Sequence, residues 1–159
     1  MRKHLLVVCS MLLSASAAMA RGKIDTKWHC PGPTAEHKLD VGDMPDHTYS
    51  INQGSCSATA SAGGFAEKTG QYTEFDETWK TAMTAHGRFN VTMDGGDKVY
   101  YTYEESRPPD VTKPLSNKWK IVGGTGKYKD IKGSGSCSGK FNSDKSADWT
   151  CTGSYSMSK

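Results

Sequence analysis

The chain has 159 residues, a formal net charge of +3 and only 35% hydrophobic residues. Its lysines are scattered among carboxylates, which gives no electrostatic case for nucleic acid or an anionic membrane as partner. The length suits one domain once a leader is set aside.

Arg2, Lys3 and His4 precede an apolar run over 5–13, and Ala18-Met19-Ala20 follows. That order is the pattern of a secretory signal. Cleavage is expected after Ala20, leaving residues 21–159 as a single β-barrel domain in the periplasm or outside the cell. The apolar run is too short for a membrane span. Within 21–159 there are eleven Ile, Leu and Val residues, against four Trp, seven Tyr and four Phe. Aromatic rings bury large areas, so a β-rich domain with an aromatic core is expected, helped by covalent links.

No segment carries helical periodicity, and strand signals follow one another. Residues 23–30 form the first expected strand. Residues 31–45, with three prolines, read as a surface loop. In 49–60 Cys56, Ala58 and Ala60 share one face. Residues 71–83 read as one strand with Phe75, Trp79 and Met83 on one face. Strands over 87–93 and 98–104 flank Asp94-Gly95-Gly96-Asp97, whose glycines suit a tight hairpin. Residues 106–114 are a loop, and 118–122 a short strand. Residues 132–141 and 148–157 form the last hairpin.

That hairpin predicts a disulfide. Four cysteines remain after cleavage, and an oxidising compartment with an even count implies two bonds, in one of three connectivities. A turn centred on Asp144 sets Cys137 directly opposite Cys151, at roughly 4.5–5.5 Å between Cα atoms. Cys30 with Cys56 is then the second pair. One hairpin face carries Gly133, Gly135, Cys137, Gly139 and Phe141 beside Trp149, Cys151, Gly153, Tyr155 and Met157. Small residues beside large rings suit a curved interior wall. Eight strands with short connections predict a closed antiparallel barrel, with room for packed side chains or one small ligand.

Several chemical readings fail on spacing. Gly126-Lys127 lacks the earlier glycine and the following Ser or Thr of a phosphate loop, since Ile121 and Tyr128 occupy those places. Gly135-Ser136-Cys137-Ser138-Gly139 sits mid-strand, not in the strand–turn–helix context of a nucleophile elbow. His29, His37, His47 and His86, with Asp40, Asp43 and Asp46, match no metal-site spacing, so they read as solvated and no metal is expected. Asn90-Val91-Thr92 is a glycosylation sequon with little weight here. Glu104 and Glu105 end the tyrosine strand near a barrel mouth and read as surface groups. Trp79, Tyr101 and Tyr103 are candidates to line a cavity.

The run Val122-Gly123-Gly124-Thr125-Gly126-Lys127-Tyr128, followed by Gly133-Ser134-Gly135, resembles the signature of the allene oxide cyclase and dirigent barrel superfamily. The resemblance implies an eight-stranded antiparallel barrel with a mainly apolar cavity. Members cyclise a fatty-acid epoxide or steer phenoxyl-radical coupling without a cofactor, and no cofactor is expected here. Tyr49-Ser50-Ile51-Asn52-Gln53 is similar to the cyclase's early strand, Y-E-I-N-E. It keeps the amide as Asn52 but has Ser50 and Gln53 in place of two glutamates. A hydroxyl does not replace a carboxylate that stabilises developing positive charge.

The resulting expectation is a disulfide-stapled barrel that binds a small apolar or aromatic ligand through Trp79, Tyr101, Tyr103 and Asn52. A cofactor-free isomerase or cyclase and a non-catalytic interaction scaffold are the alternatives.

Overall fold

In the computed structural model, residues 19–62 and 64–158 are described. Most of the expected leader therefore lies outside the described residues. The strands are β1 (Met19–Cys30), β2 (Ala35–Asp40), β3 (His47–Ser61), β4 (Glu67–Trp79), β5 (Ala82–Met93), β6 (Lys98–Arg107), β7 (Leu115–Gly124), β8 (Lys132–Phe141) and β9 (Ala147–Ser158). A short 3-10 turn covers Gly126–Tyr128. Sheet order runs β1-β9-β8-β7-β6-β5-β4-β3-β2, and β1 also pairs with β3. Eight strands thus close an antiparallel barrel, as the strand pattern and the resemblance led us to expect, and β2 is a ninth strand outside the count.

The closure seam explains β2. Strand β3 is 15 residues long. Its C-terminal part pairs with β1, His29 facing Ser57, and its N-terminal part pairs with β2, Ala35 facing Gln53. β2 therefore continues the line of β1 along the same edge after an interruption at residues 31–34. This corrects the reading of 31–45 as one loop. The prolines only flank the strand, and every β2 residue is exposed, so no hydrophobic alternation marks it. Its charged residues suit an unpaired outer edge. A second correction concerns 71–83. Lys80 adopts φ 52° in a tight turn, which splits the expected strand into β4 and β5. Phe75 and Trp79 stay on the outer face while Met83 turns inward.

Both disulfides form as expected. Cys30–Cys56 ties β1 to β3 at the seam, and Cys137–Cys151 joins directly opposed residues of β8 and β9 with 4.0 Å between Cα atoms.

One end of the barrel is plugged. Phe65, Met93, Ile131, Val91 and Val99 are its fully buried apolar side chains. Phe65 lies 4.6 Å from the Tyr155 ring and edge-on to Tyr128. The glycine-rich corner serves this plug. Lys98 N–H donates to Thr125 Oγ1 at 2.7 Å, and Thr125 N–H donates to the Lys98 carbonyl. Gly126 adopts φ 50°, and a Cβ there would collide with the Asp97 carboxylate. This geometry brings Tyr128 into the core. In the other hairpin only Gly96 of the two expected turn glycines has positive φ.

Candidate ligand-binding site

From the opposite end a cavity of about 540 Å³ enters the barrel, within the range of small-molecule sites. Its position follows from side-chain parity. In β4 the even positions Tyr72, Glu74 and Asp76 point inward, and in β6 the odd positions Tyr101, Tyr103 and Glu105 do. Strand register stacks these into two tiers. The outer tier runs Ser50–Asp76–Ala85–Glu105–Asn117–Cys137–Cys151, each facing the next across neighbouring strands. The inner tier runs Asn52–Glu74–Gly87–Tyr103–Trp119–Gly135–Gly153.

The glycines of the inner tier make the site possible. The Trp119 ring lies over Gly135 and Gly153, where a Cβ would sit 2.2 and 2.4 Å from its Cζ2 atom. Tyr103 crosses β5 over Gly87, and its hydroxyl donates to Glu74 Oε2 at 2.6 Å. Deeper, the Tyr101 hydroxyl donates to Glu67 Oε1 at 2.6 Å. Between the tiers Asn52 Nδ2 donates to Asp76 Oδ2 and, at 3.3 Å, to Ser50 Oγ. The carboxylate missing at Ser50 is thus present one strand away, at Asp76. Gln53 points outward and bonds Thr73.

Trp28, Phe89, Trp119, Trp149 and both disulfides complete the wall. Pro31, Gly32 and Pro33, in the interruption between β1 and β2, form part of the mouth together with Arg107 and Lys145.

Electrostatically the interior is strained toward neutrality. Burial, then the neighbouring Asp76 charge, pushes the Glu74 carboxyl up to about 7. Burial raises Asp76 to about 6 against the bonds from Asn52 and Ser50. Burial, then Glu74 and Asp76, raises Glu105 to about 8. Glu67 is also raised by burial, opposed by bonds from Thr26 and Tyr101. Removing a carboxylate from water favours its neutral form, and a second carboxylate nearby adds to that. Four buried atoms have no hydrogen-bond partner among the described residues: Asn52 Oδ1, Asp76 Oδ1, Asn117 Oδ1 and Trp119 Nε1.

Tyr101, Tyr103 and Asn52 therefore come together at one cavity. Trp79 does not join them. It is 45% exposed on the outer face, stacks on His47 at 4.6 Å and reaches Met44 Sδ. Hydrophobicity alone misassigns β4, because its aromatic face looks out and its acidic face looks in. His47 also departs from the solvated reading. It is 5% exposed and bonds both Asp43 and Glu77, which hold its pKa above the ordinary value. Glu105 faces the cavity while Glu104 is exposed. Glu67, Glu74 and Asp76 were not among the sequence candidates. For Glu74 and Asp76 the signal is parity with Gly70, which marks the inward face of β4 as the glycines do in β8 and β9, whereas Glu67 is out of parity and reaches that face through the register shift between Glu67 and Thr69.

No protein-family model and no curated protein matches the sequence. Among solved structures, a pterocarpan synthase dirigent protein superposes with TM-score 0.56 at 11% identity, covering 97% of this chain and 98% of that one. The fold is a dirigent-like barrel. The likeness spans the whole chain, well beyond the glycine motif, and at this identity it is one of fold. The cavity of this dirigent-like barrel departs in one respect from the mainly apolar interior implied by the resemblance, because one wall is aromatic and the other acidic. Among the described residues no helix is long and apolar enough to cross a membrane.

Proposed function

We propose that this protein is a secreted or periplasmic barrel that binds one small aromatic molecule in its interior. The observation that carries this reading is the cavity of about 540 Å³ whose wall holds both tryptophans and unpartnered polar atoms. Buried polar groups without partners are costly, so a ligand that satisfies them gains what the empty barrel forgoes. The two disulfides support an oxidising compartment. Three of the four tryptophans line the cavity, so titration with a panel of small phenols and arylamines is expected to change the intrinsic fluorescence saturably. A panel that leaves the fluorescence unchanged removes the proposal.

A second reading, cofactor-free acid–base catalysis of the isomerase or cyclase kind, is favoured by the split between Asp76 at about 6 and Glu105 at about 8. Such a pair supplies a base and an acid at the same pH. It predicts turnover with a bell-shaped pH dependence that Glu105→Gln abolishes, measured by product analysis across the same panel.

A further inference from the structure

Resting on the reading that the cavity holds a ligand, we propose that its occupant is an organic cation: a small aromatic molecule bearing a primary or secondary ammonium and one oxygen acceptor. The cavity wall holds four carboxyl side chains, Glu67, Glu74 and Asp76 from β4 and Glu105 from β6, and of the lining cations only Arg107, two positions along β6, acts on one of them, Glu105. The two cations of the lining, Arg107 and Lys145, belong to the mouth. Arg107 is already engaged, with its Nε donating to the Thr81 carbonyl and its guanidinium over Phe141.

The unmet hydrogen bonds have the same polarity. Three of the four unpartnered atoms are acceptor oxygens, on Asn52, Asp76 and Asn117. Asn52 and Asp76 are 7% and 5% exposed, so bulk water does not readily serve them. Glu67 and Glu74 already receive tyrosine hydroxyls. Spare acceptor capacity therefore gathers at Asp76, Asn52 and the Glu105–Asn117 pair. An ammonium has only donors, and a cation beside tryptophan faces gains further attraction. The fourth atom, Trp119 Nε1, is a donor and calls for one oxygen on the ligand. An anionic ligand would add to the repulsion that already raises these carboxyls. A metal ion fits poorly, since among the described residues no three His, Cys, Asp or Glu side chains gather as a cage.

Proton linkage follows. A bound cation favours the ionised carboxyls, so binding at neutral pH releases protons and affinity rises as pH climbs from about 6 to about 8. The surrounding groups leave that sign intact. Asp76 feels Glu36 from β2, which raises it, and His86 from β5, which lowers it. Glu105 feels Arg107 as its lowering cation. Tyr72, Tyr101 and Tyr103 are all raised and stay protonated throughout.

The test compares tyramine, para-ethylphenol and para-hydroxyphenylpropionate, which share a phenol ring and differ in charge. An alkylammonium, like that of lysine, keeps its proton to about pH 10. Calorimetry at about pH 8 is expected to give tyramine a Kd at least about tenfold below that of the neutral phenol. The acid is expected to bind weakest. The preference for tyramine shrinks toward pH 5, and buffers of different ionisation enthalpy report proton release near pH 7. Glu105→Gln and Asp76→Asn each reduce the preference by about tenfold, with circular dichroism confirming the fold. Equal binding of tyramine and para-ethylphenol by the unaltered protein, or the absence of proton release, overturns the cation while leaving a ligand-binding cavity. Failure of all three to bind overturns both readings.

Discussion

The two ends of the barrel are built from the same strands and differ in what those strands point inward. At the plugged end Phe65, Met93, Val99, Ile131 and Tyr128 are buried together in the interior. At the open end the same alternation delivers Asn52, Asp76, Glu105 and Asn117 into a cavity, with polar atoms left unpartnered. Both disulfides lie at the open end. Apolar packing holds one half, and covalent links hold the wall of the half that forgoes packing. Retaining buried, mutually repelling carboxyls is unfavourable for folding, so their presence at the mouth suits a site rather than a core.

The largest effect is expected where packing dominates. Phe65→Ala removes a ring that is 1% exposed and is expected to cost about 3–5 kcal/mol, read by urea denaturation. An effect below about 1 kcal/mol would contradict the picture of a packed plug. Next comes the open end's staple. Cys137→Ser with Cys151→Ser reopens a loop closed across 14 positions, worth roughly 3 kcal/mol in the chain-entropy model. If the open end were packed like the plugged one, the loss would be smaller and the cavity would not collapse or widen.

Glu105→Gln reverses the sign. A carboxyl whose folded pKa of about 8 exceeds its ordinary 4.5 binds more protons folded than unfolded between those values. Stability therefore falls as pH rises through that window, and its penalty is complete above the folded pKa. Thermal denaturation of Glu105→Gln should match the parent near pH 4 and exceed it at about pH 9, by on the order of 2 kcal/mol once partial solvent access is discounted. Lower stability of the variant at high pH would show that the charge is compensated. Smallest of all, Trp79→Ala should leave ligand titrations at the cavity within about twofold, since Trp79 packs on His47 outside the barrel. A larger change would join the outer cluster to the site.

How far the sequence reveals the site depends on the type of contact. The Cys137–Cys151 pairing was legible because a hairpin fixes its register locally. The inward face of β8 and β9 was legible because glycine, cysteine or a large apolar residue occupies every second position there, from Gly133 to Phe141 and from Trp149 to Met157. Tyr101 and Tyr103 were legible as alternating positions of one strand, and Asn52 only through the likeness of residues 49–53 to the cyclase strand. Strand β4 was not, because its aromatic residues Phe75 and Trp79 pack outward against His86 and His47. A rule that sends apolar side chains inward fails on a strand whose interior is a polar cavity. Strand β2 escaped notice for a related reason: it is exposed on both faces and exists only because β3 offers it an edge.

The sequence by itself determined the strand count of the barrel, the staple between β8 and β9 and the corner that begins at Gly123. These depend on residues close in the chain, or on an alternation that any closed sheet must obey. Only the tertiary structure decided that Asp76 stands beside Ser50 and Asn52, that Glu105 faces Asp76 across β5, and that Trp79 looks outward. Those neighbours come from three different strands, and their meeting depends on how the sheet closes. Closure sets which face of β4 is inside, and with it the charge of the cavity.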